Sequence, residues 1–112
     1  PELKVTATTV RVPVFNSHSE SVNVEFENPV DIDEIKKILS EAPGIVVVDD
    51  PANNKYPLAL DAAGTDEVYV GRIRRDESVD NGINFWVVAD NIRKGAATNA
   101  VQIAQILVES MK

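Results

Sequence analysis

One histidine, His18, stands seven residues after an arginine in the stretch RVPVFNSHSE, residues 11–20. Histidine is the side-chain type able, when unperturbed, to take and give a proton close to neutral pH, and His18 is the one histidine here. Arg11 is suited to gripping a carboxylate through two parallel hydrogen bonds, a geometry that lysine matches less well. Taken as a pair they read as an acid/base and a substrate clamp. Taken singly they read as a solvated loop histidine and a surface counter-charge of little energetic worth. The residues alone leave both readings open.

A second candidate is NIRKGAATN, residues 91–99, where Gly95 at a helix start would turn unpaired backbone N–H groups toward an anion, with Arg93 and Lys94 adding charge. Close packing of small residues at a helix start explains the same letters, and the pattern is neither GxGxxG nor a Walker sequence. In GRIRRD, Arg72 and Arg74 share a strand face and read best as partners for the many carboxylates. The acids Asp31, Asp33, Glu34, Asp49 and Asp50 read as solvated turn and cap residues rather than as a cation site.

Composition narrows the classes. The chain has 112 residues, 44% of them hydrophobic, enough for one compact domain with a single core. Its net charge of -7 opposes long-range encounter with nucleic acid or an anionic membrane, leaving small anionic ligands possible through local arginines. No run approaches the ~18 apolar residues of a spanning helix, and no charged leader precedes an apolar core. A soluble, cytoplasmic protein is expected, with no nucleic-acid or membrane partner. The absence of cysteine removes disulfides, thiolate metal sites and a cysteine nucleophile together. With one histidine and no zinc-like spacing, no bound metal is expected. The first residue is proline rather than methionine, which hints at a piece of something longer.

The elements that must position these groups follow from hydrophobic period. Lys4–Val14 is rich in valine and threonine with near-alternating polarity, which predicts a strand ending near Pro13. SESVNVEFE alternates with a period of two, giving a second strand and a hairpin that carries His18 near its tip. From Asp31, an N-cap with Glu34 three residues on, the period becomes 3.6 as far as Pro43-Gly44, which predicts a helix. GIVVVDD reads as a short buried strand, residues 50–64 as a loop, and EVYVGRIR and INFWVVAD as two strands joined by a polar turn. The last segment, from Gly95, is helical, with Ala97, Ala100, Val101, Ala104, Leu107, Val108 and Met111 on a stripe that Ile103 and Ile106 broaden. Such a helix needs cover on more than one side. The expected fold is α+β, a mixed and mainly antiparallel sheet of about five strands with two helices.

The segments TTVRVPVFNSHSESV, DDPANNKYP, VYVGRIRRD and FWVVADNIRKGAATNAVQIAQIL, in this order, resemble the C-terminal part of aspartate-semialdehyde dehydrogenase, and the resemblance covers essentially the whole chain. It implies a partial domain of a larger two-domain enzyme, with residues 1–94 in the catalytic and dimerisation domain and residues 95–112 forming a terminal helix on a nucleotide-binding domain that lies elsewhere. The implied reaction is the NADP-dependent reversible phosphorylating oxidation of L-aspartate 4-semialdehyde to 4-aspartyl phosphate. That step leads toward lysine through diaminopimelate, and toward threonine, methionine and isoleucine.

By the same resemblance, Arg11 binds the substrate carboxylate and His18 is the general acid/base, while Asn91 and Gly95 lie toward the nicotinamide end of NADP. The implied partners are aspartate semialdehyde, phosphate, the missing N-terminal portion and a second copy in a homodimer. The family's glycine-rich nucleotide segment and cysteine nucleophile correspond to nothing in this sequence, so the chain alone is expected to be inactive. A second class of function is a noncatalytic dimerisation or interaction module derived from that enzyme. A third, a small effector-binding domain, rests only on Gly95 and its neighbours.

Overall fold

The computed structural model describes residues 2–111. Its centre is a four-stranded sheet in the order β1-β4-β3-β2, built from β1 (His18–Glu25), β2 (Ile45–Val47), β3 (Val68–Asp76) and β4 (Gly82–Ala89). β4 is antiparallel to both β1 and β3, whereas β2 runs parallel to β3. A parallel pair needs a crossover rather than a tight turn, and residues 48–67 supply it. The sheet is therefore mixed and mainly antiparallel, as expected.

Helix α1 (Ile32–Glu41) forms where the period changes. Asp31 caps it, Oδ1 accepting the N–H of Asp33 at 2.8 Å and of Glu34 at 3.4 Å. This satisfies donors that the first turn leaves unpaired. The helix ends before Gly44, whose φ of 75° suits a residue without Cβ. α1 lies against β2 and β3, and Lys36 reaches Asp49 at 2.8 Å.

The crossover contains more structure than a loop. Pro51–Asn53 forms a 3₁₀ turn capped by Asp50, and Ala59–Ala62 forms a short helix, α2. Pro57 and Ala62 are buried, with Val88 below them in the core, and the indole N–H of Trp86 donates to the Pro57 carbonyl at 3.2 Å. On β3, Gly71 admits this segment. A Cβ placed there would lie 2.1 Å from the Val48 carbonyl oxygen and 2.6 Å from Pro57 Cδ.

Three expectations need correction. Residues 4–14 form no strand: the segment is exposed, with Val5 at 78% and Val10 at 81%, and no sheet strand pairs with it. This accounts for four strands where about five were expected. The hairpin with β1 is absent too, because β1 pairs with β4, setting Val22 opposite Phe85 and Val24 opposite Ile83. The final helix does not start at Gly95. A π-helical turn, Arg93–Ala97, precedes α3 (Thr98–Ser110).

The core is small. Ala62, Val70, Ile73, Ile83 and Val88 are its buried apolar residues, while Val101, Ile103, Ile106, Leu107 and Val108 of α3 are each more than half exposed. Among the described residues, the extensive contacts of α3 are with the turn before it. The radius of gyration, 15.5 Å, exceeds the ~13 Å of a compact domain of this length.

Two glycine substitutions should separate close approach from mere flexibility. Gly71→Ala is expected to lower stability by about 1–3 kcal/mol, because backbone atoms rather than a flexible tip would have to move. At Gly95, where a Cβ meets only Asn91 Cβ at 3.8 Å, alanine should raise stability by about 0.5–1 kcal/mol. Urea midpoints of the two variants check this; a Gly71→Ala protein as stable as the parent contradicts the packing account.

Candidate functional site

Two consecutive residues at the end of β4 organise the corner of the sheet where His18 lies. Asp90 is 5% exposed. Its Oδ2 accepts the Gly64 N–H at 2.8 Å, and its Oδ1 accepts the N–H groups of Ile92 at 2.9 Å and Arg93 at 3.3 Å. One carboxylate thus caps the π-helical turn and fastens the end of the crossover. The Gly64 N–H first, then that of Ile92, hold this carboxyl below the usual carboxylate range, with burial pulling the other way.

Asn91 reaches in the other direction. Its Oδ1 accepts the Ser17 N–H at 2.9 Å, across 74 positions of sequence. A carboxamide meeting an N–H must present oxygen, so the donor fixes the amide's orientation. Ser17 has φ of 78° and is 6% exposed, and no partner for its hydroxyl occurs among the described residues. A left-handed serine costs about 1–2 kcal/mol relative to ordinary backbone, and a buried N–H left unpaired would add about 1–3 kcal/mol. The bond to Asn91 removes the second cost. His18 follows at once as the first residue of β1, opposite Ala89.

A second knot secures the last helix. Asp66 accepts two parallel hydrogen bonds from Arg93, at 2.8 and 2.9 Å, and one from Thr98 Oγ1 at 3.0 Å. Arg93 first and Thr98 second lower the Asp66 carboxyl below its ordinary range, while Asp66 raises Arg93.

The residues singled out by sequence are only partly gathered. His18 and Asn91 share the corner through Ser17. Arg11 lies on the exposed N-terminal segment, and no hydrogen bond or ion pair among the described residues joins it to His18. Gly95 is inside a helical turn, its N–H directed to the Asp90 carbonyl at 3.4 Å, so of the two readings of this segment the cradle of unpaired N–H groups is not formed there. Arg93 is engaged by Asp66, and Lys94 donates to Gln102 Oε1.

Arg72 and Arg74 also depart from expectation. Neither guanidinium forms an ion pair among the described residues; Arg74 donates to the Arg72 carbonyl at 2.8 Å. Both line an open cleft of about 360 Å³ with Ser19, Ser21, Tyr56 and Trp86. Asp31 and Asp50 are caps, as expected. Asp49 is instead a buried acceptor for the Arg72 N–H, at 2.8 Å, because the bulge between Gly71 and Arg74 turns that N–H out of the ladder. No group of three or more His, Cys, Asp or Glu side chains among the described residues is placed to hold a metal ion.

The fold has known counterparts. The family model described as semialdehyde dehydrogenase, dimerisation domain, matches residues 1–94. The chain belongs to that family. The aspartate-semialdehyde dehydrogenase of Aquifex aeolicus is 56% identical over 107 residues, which is 96% of this chain and 32% of the relative. The enzyme of that name from Synechocystis is 51% identical over 108 residues, again 32% of its length. A crystal structure of aspartate semialdehyde dehydrogenase II from Vibrio cholerae, complexed with ASA, superposes with a TM-score of 0.79 at 49% identity, covering 88% of this chain and 29% of that one. The chain thus spans about a third of these semialdehyde dehydrogenases.

Missing from the sequence reading were the roles of Asp90, Ser17 and Asp66. For Asp90 a signal existed: an Asp between a strand and a helical segment is a standard N-cap candidate. The Asn91–Ser17 bond, spanning most of the chain, had none.

The lowered Asp66 and Asp90 carboxyls give a signed pH dependence. A group whose folded pKa lies below its unfolded value of ~3.9 contributes stability that is fully present above that value and lost as pH falls through the folded one. Asp90→Asn should therefore be less stable than the parent at neutral pH and lose less stability between about pH 5 and about pH 3. Urea unfolding across that range tests it, and parallel curves for the two proteins would contradict it.

Proposed function

We propose that the complete protein containing this chain is an aspartate-semialdehyde dehydrogenase. It would oxidise L-aspartate 4-semialdehyde reversibly to 4-aspartyl phosphate with NADP and phosphate, in the cytoplasm and as a homodimer. The observation that carries this reading is the 50–56% identity to enzymes of that name over nearly all of the chain. Within the enzyme this chain supplies Arg11 and His18.

Their division of labour follows from the chemistry. A thiolate from outside this chain, which has no cysteine, adds to the aldehyde carbon. His18 is the group that removes the proton from the resulting hydroxyl as hydride leaves the same carbon and a thioester forms, and returns it in the reductive direction; inorganic phosphate then displaces the thiolate to give the acyl phosphate. Its place supports this: the side chain is exposed at the first position of a strand whose approach is pinned by Ser17 and Asn91. Arg11 grips the α-carboxylate and so fixes the carbon chain relative to the base. Its segment would take up that position against parts of the enzyme outside this chain.

NADP supplies the hydride acceptor when bound. The residues present here do not make a dinucleotide site: the Gly95 N–H is occupied, and Arg93 and Lys94 are engaged. In this proposal Asn91 and Gly95 border the nicotinamide, and the nucleotide domain does the binding. Residues 95–112 dock on that domain, and the exposed apolar side chains of α3 from Val101 to Val108 are what they would bury. The second reading, a noncatalytic dimerisation module, draws on the family model, whose description names dimerisation.

Tests in the full-length protein divide the two. His18→Ala is expected to lower kcat by about 10²–10⁴-fold, and Arg11→Leu to raise KM for the semialdehyde by about tenfold or more, the loss expected of a charge-assisted pair. The isolated chain should show no NADP-dependent, phosphate-dependent oxidation and no calorimetric binding of NADP. A His18→Ala enzyme at parental rate would remove the acid/base assignment and favour the module.

A further inference from the structure

We infer that Asn91 is a positioning residue for His18, acting through the backbone of Ser17. The inference rests on the reading of His18 as the acid/base and adds a residue to that machinery. Three observations converge on it. The Asn91 carboxamide oxygen accepts the Ser17 N–H at 2.9 Å, and Ser17 is buried with its hydroxyl unpaired among the described residues, so this bond is its principal polar anchor. Ser17 holds a left-handed φ of 78°, a conformation that persists in a non-glycine residue only where the surroundings impose it. His18 starts β1 opposite Ala89, two residues before Asn91, so strand register and side-chain bond locate the same turn from two directions.

Asn91 is itself held. Asp90 beside it is buried and bonded to Gly64, Ile92 and Arg93, which leaves the backbone at 90–93 little freedom to follow a wandering Ser17. Loss of the carboxamide therefore releases the Ser17 turn rather than shifting both partners together. The imidazole then starts from a turn with alternative backbone states, and small displacements of a catalytic group are costly in rate. A residue that merely borders the cofactor would act differently, through cofactor affinity.

The experiment is a double-mutant cycle in the full-length enzyme with Asn91→Ala, Asn91→Asp and His18→Ala, each checked for its melting temperature. Asn91→Ala should lower kcat by about tenfold with KM for NADP changed by less than about twofold, the pattern of an interaction lost from the chemical step. Asn91→Asp keeps an acceptor for the Ser17 N–H and should retain most of the rate. In the His18→Ala background Asn91→Ala should add almost nothing, since both act on one proton transfer. Should Asn91→Ala fail to fold, Asn91→Ser, whose hydroxyl falls short of Ser17, takes its place in the cycle.

Losses that multiply in the double mutant, or a raised KM for NADP at unchanged kcat, would overturn the inference. A slow His18→Ala enzyme beside an unaffected Asn91→Ala overturns it while leaving the acid/base reading intact. A fast His18→Ala enzyme overturns that reading itself, and the inference with it.

Discussion

The buried carboxylate of Asp90 is the point on which the molecule's organised corner depends. Three backbone N–H groups from two directions converge on its two oxygens. Burying a charge is costly unless its lone pairs are met, and here each oxygen is met by main chain rather than by a mobile cation. Main-chain donors have fixed positions, so the arrangement transmits geometry: the end of β4, the Gly64 turn and the start of the last helical segment are set relative to one another. Asn91 extends that order by one bond to Ser17, and so to the base of His18.

Around this corner the structure is uneven. The sheet centre is tightly made, with Gly71 allowing the crossover to touch the strand and Trp86 closing over Pro57. The two ends are not. Residues before His18 and the apolar side of α3 leave large aliphatic side chains in contact with solvent. At ~25 cal/mol per Å² of apolar surface, the surface left uncovered is a large forfeited stabilisation. That imbalance agrees with a chain spanning about a third of the semialdehyde dehydrogenases it resembles.

The same division explains what the sequence revealed. β1, β3, β4 and α1 were legible because hydrophobic period reports which faces of an element are covered; β3 and β4 bury theirs within the chain, whereas Val22 and Val24 of β1 and Ile32, Ile35 and Leu39 of α1 are half-buried. Residues 4–14 carry an equally good period of two, yet form no ladder: alternation says that two faces differ, but not that a hydrogen-bonding neighbour is present. Asp49 looked like a solvated turn residue because its burial depends on the bulge at Gly71–Arg74, which no local pattern announces. At the candidate site, His18 and Arg11 stood out by chemical type. Ser17 did not, since a left-handed serine shows itself only in its backbone angle.

The pairing of β1 with β4 also carries an entropic cost that the β3–β4 pairing escapes. β3 and β4 are neighbours joined by residues 77–81, so their hairpin closes over a short stretch of chain. His18 meets Ala89 only after a loop of 71 residues, 89 minus 18, has been brought together. Non-local contacts of that kind cost closure entropy before they return any energy, and they slow folding. The edge strand bearing the histidine therefore carries the largest closure cost of any pairing in the sheet.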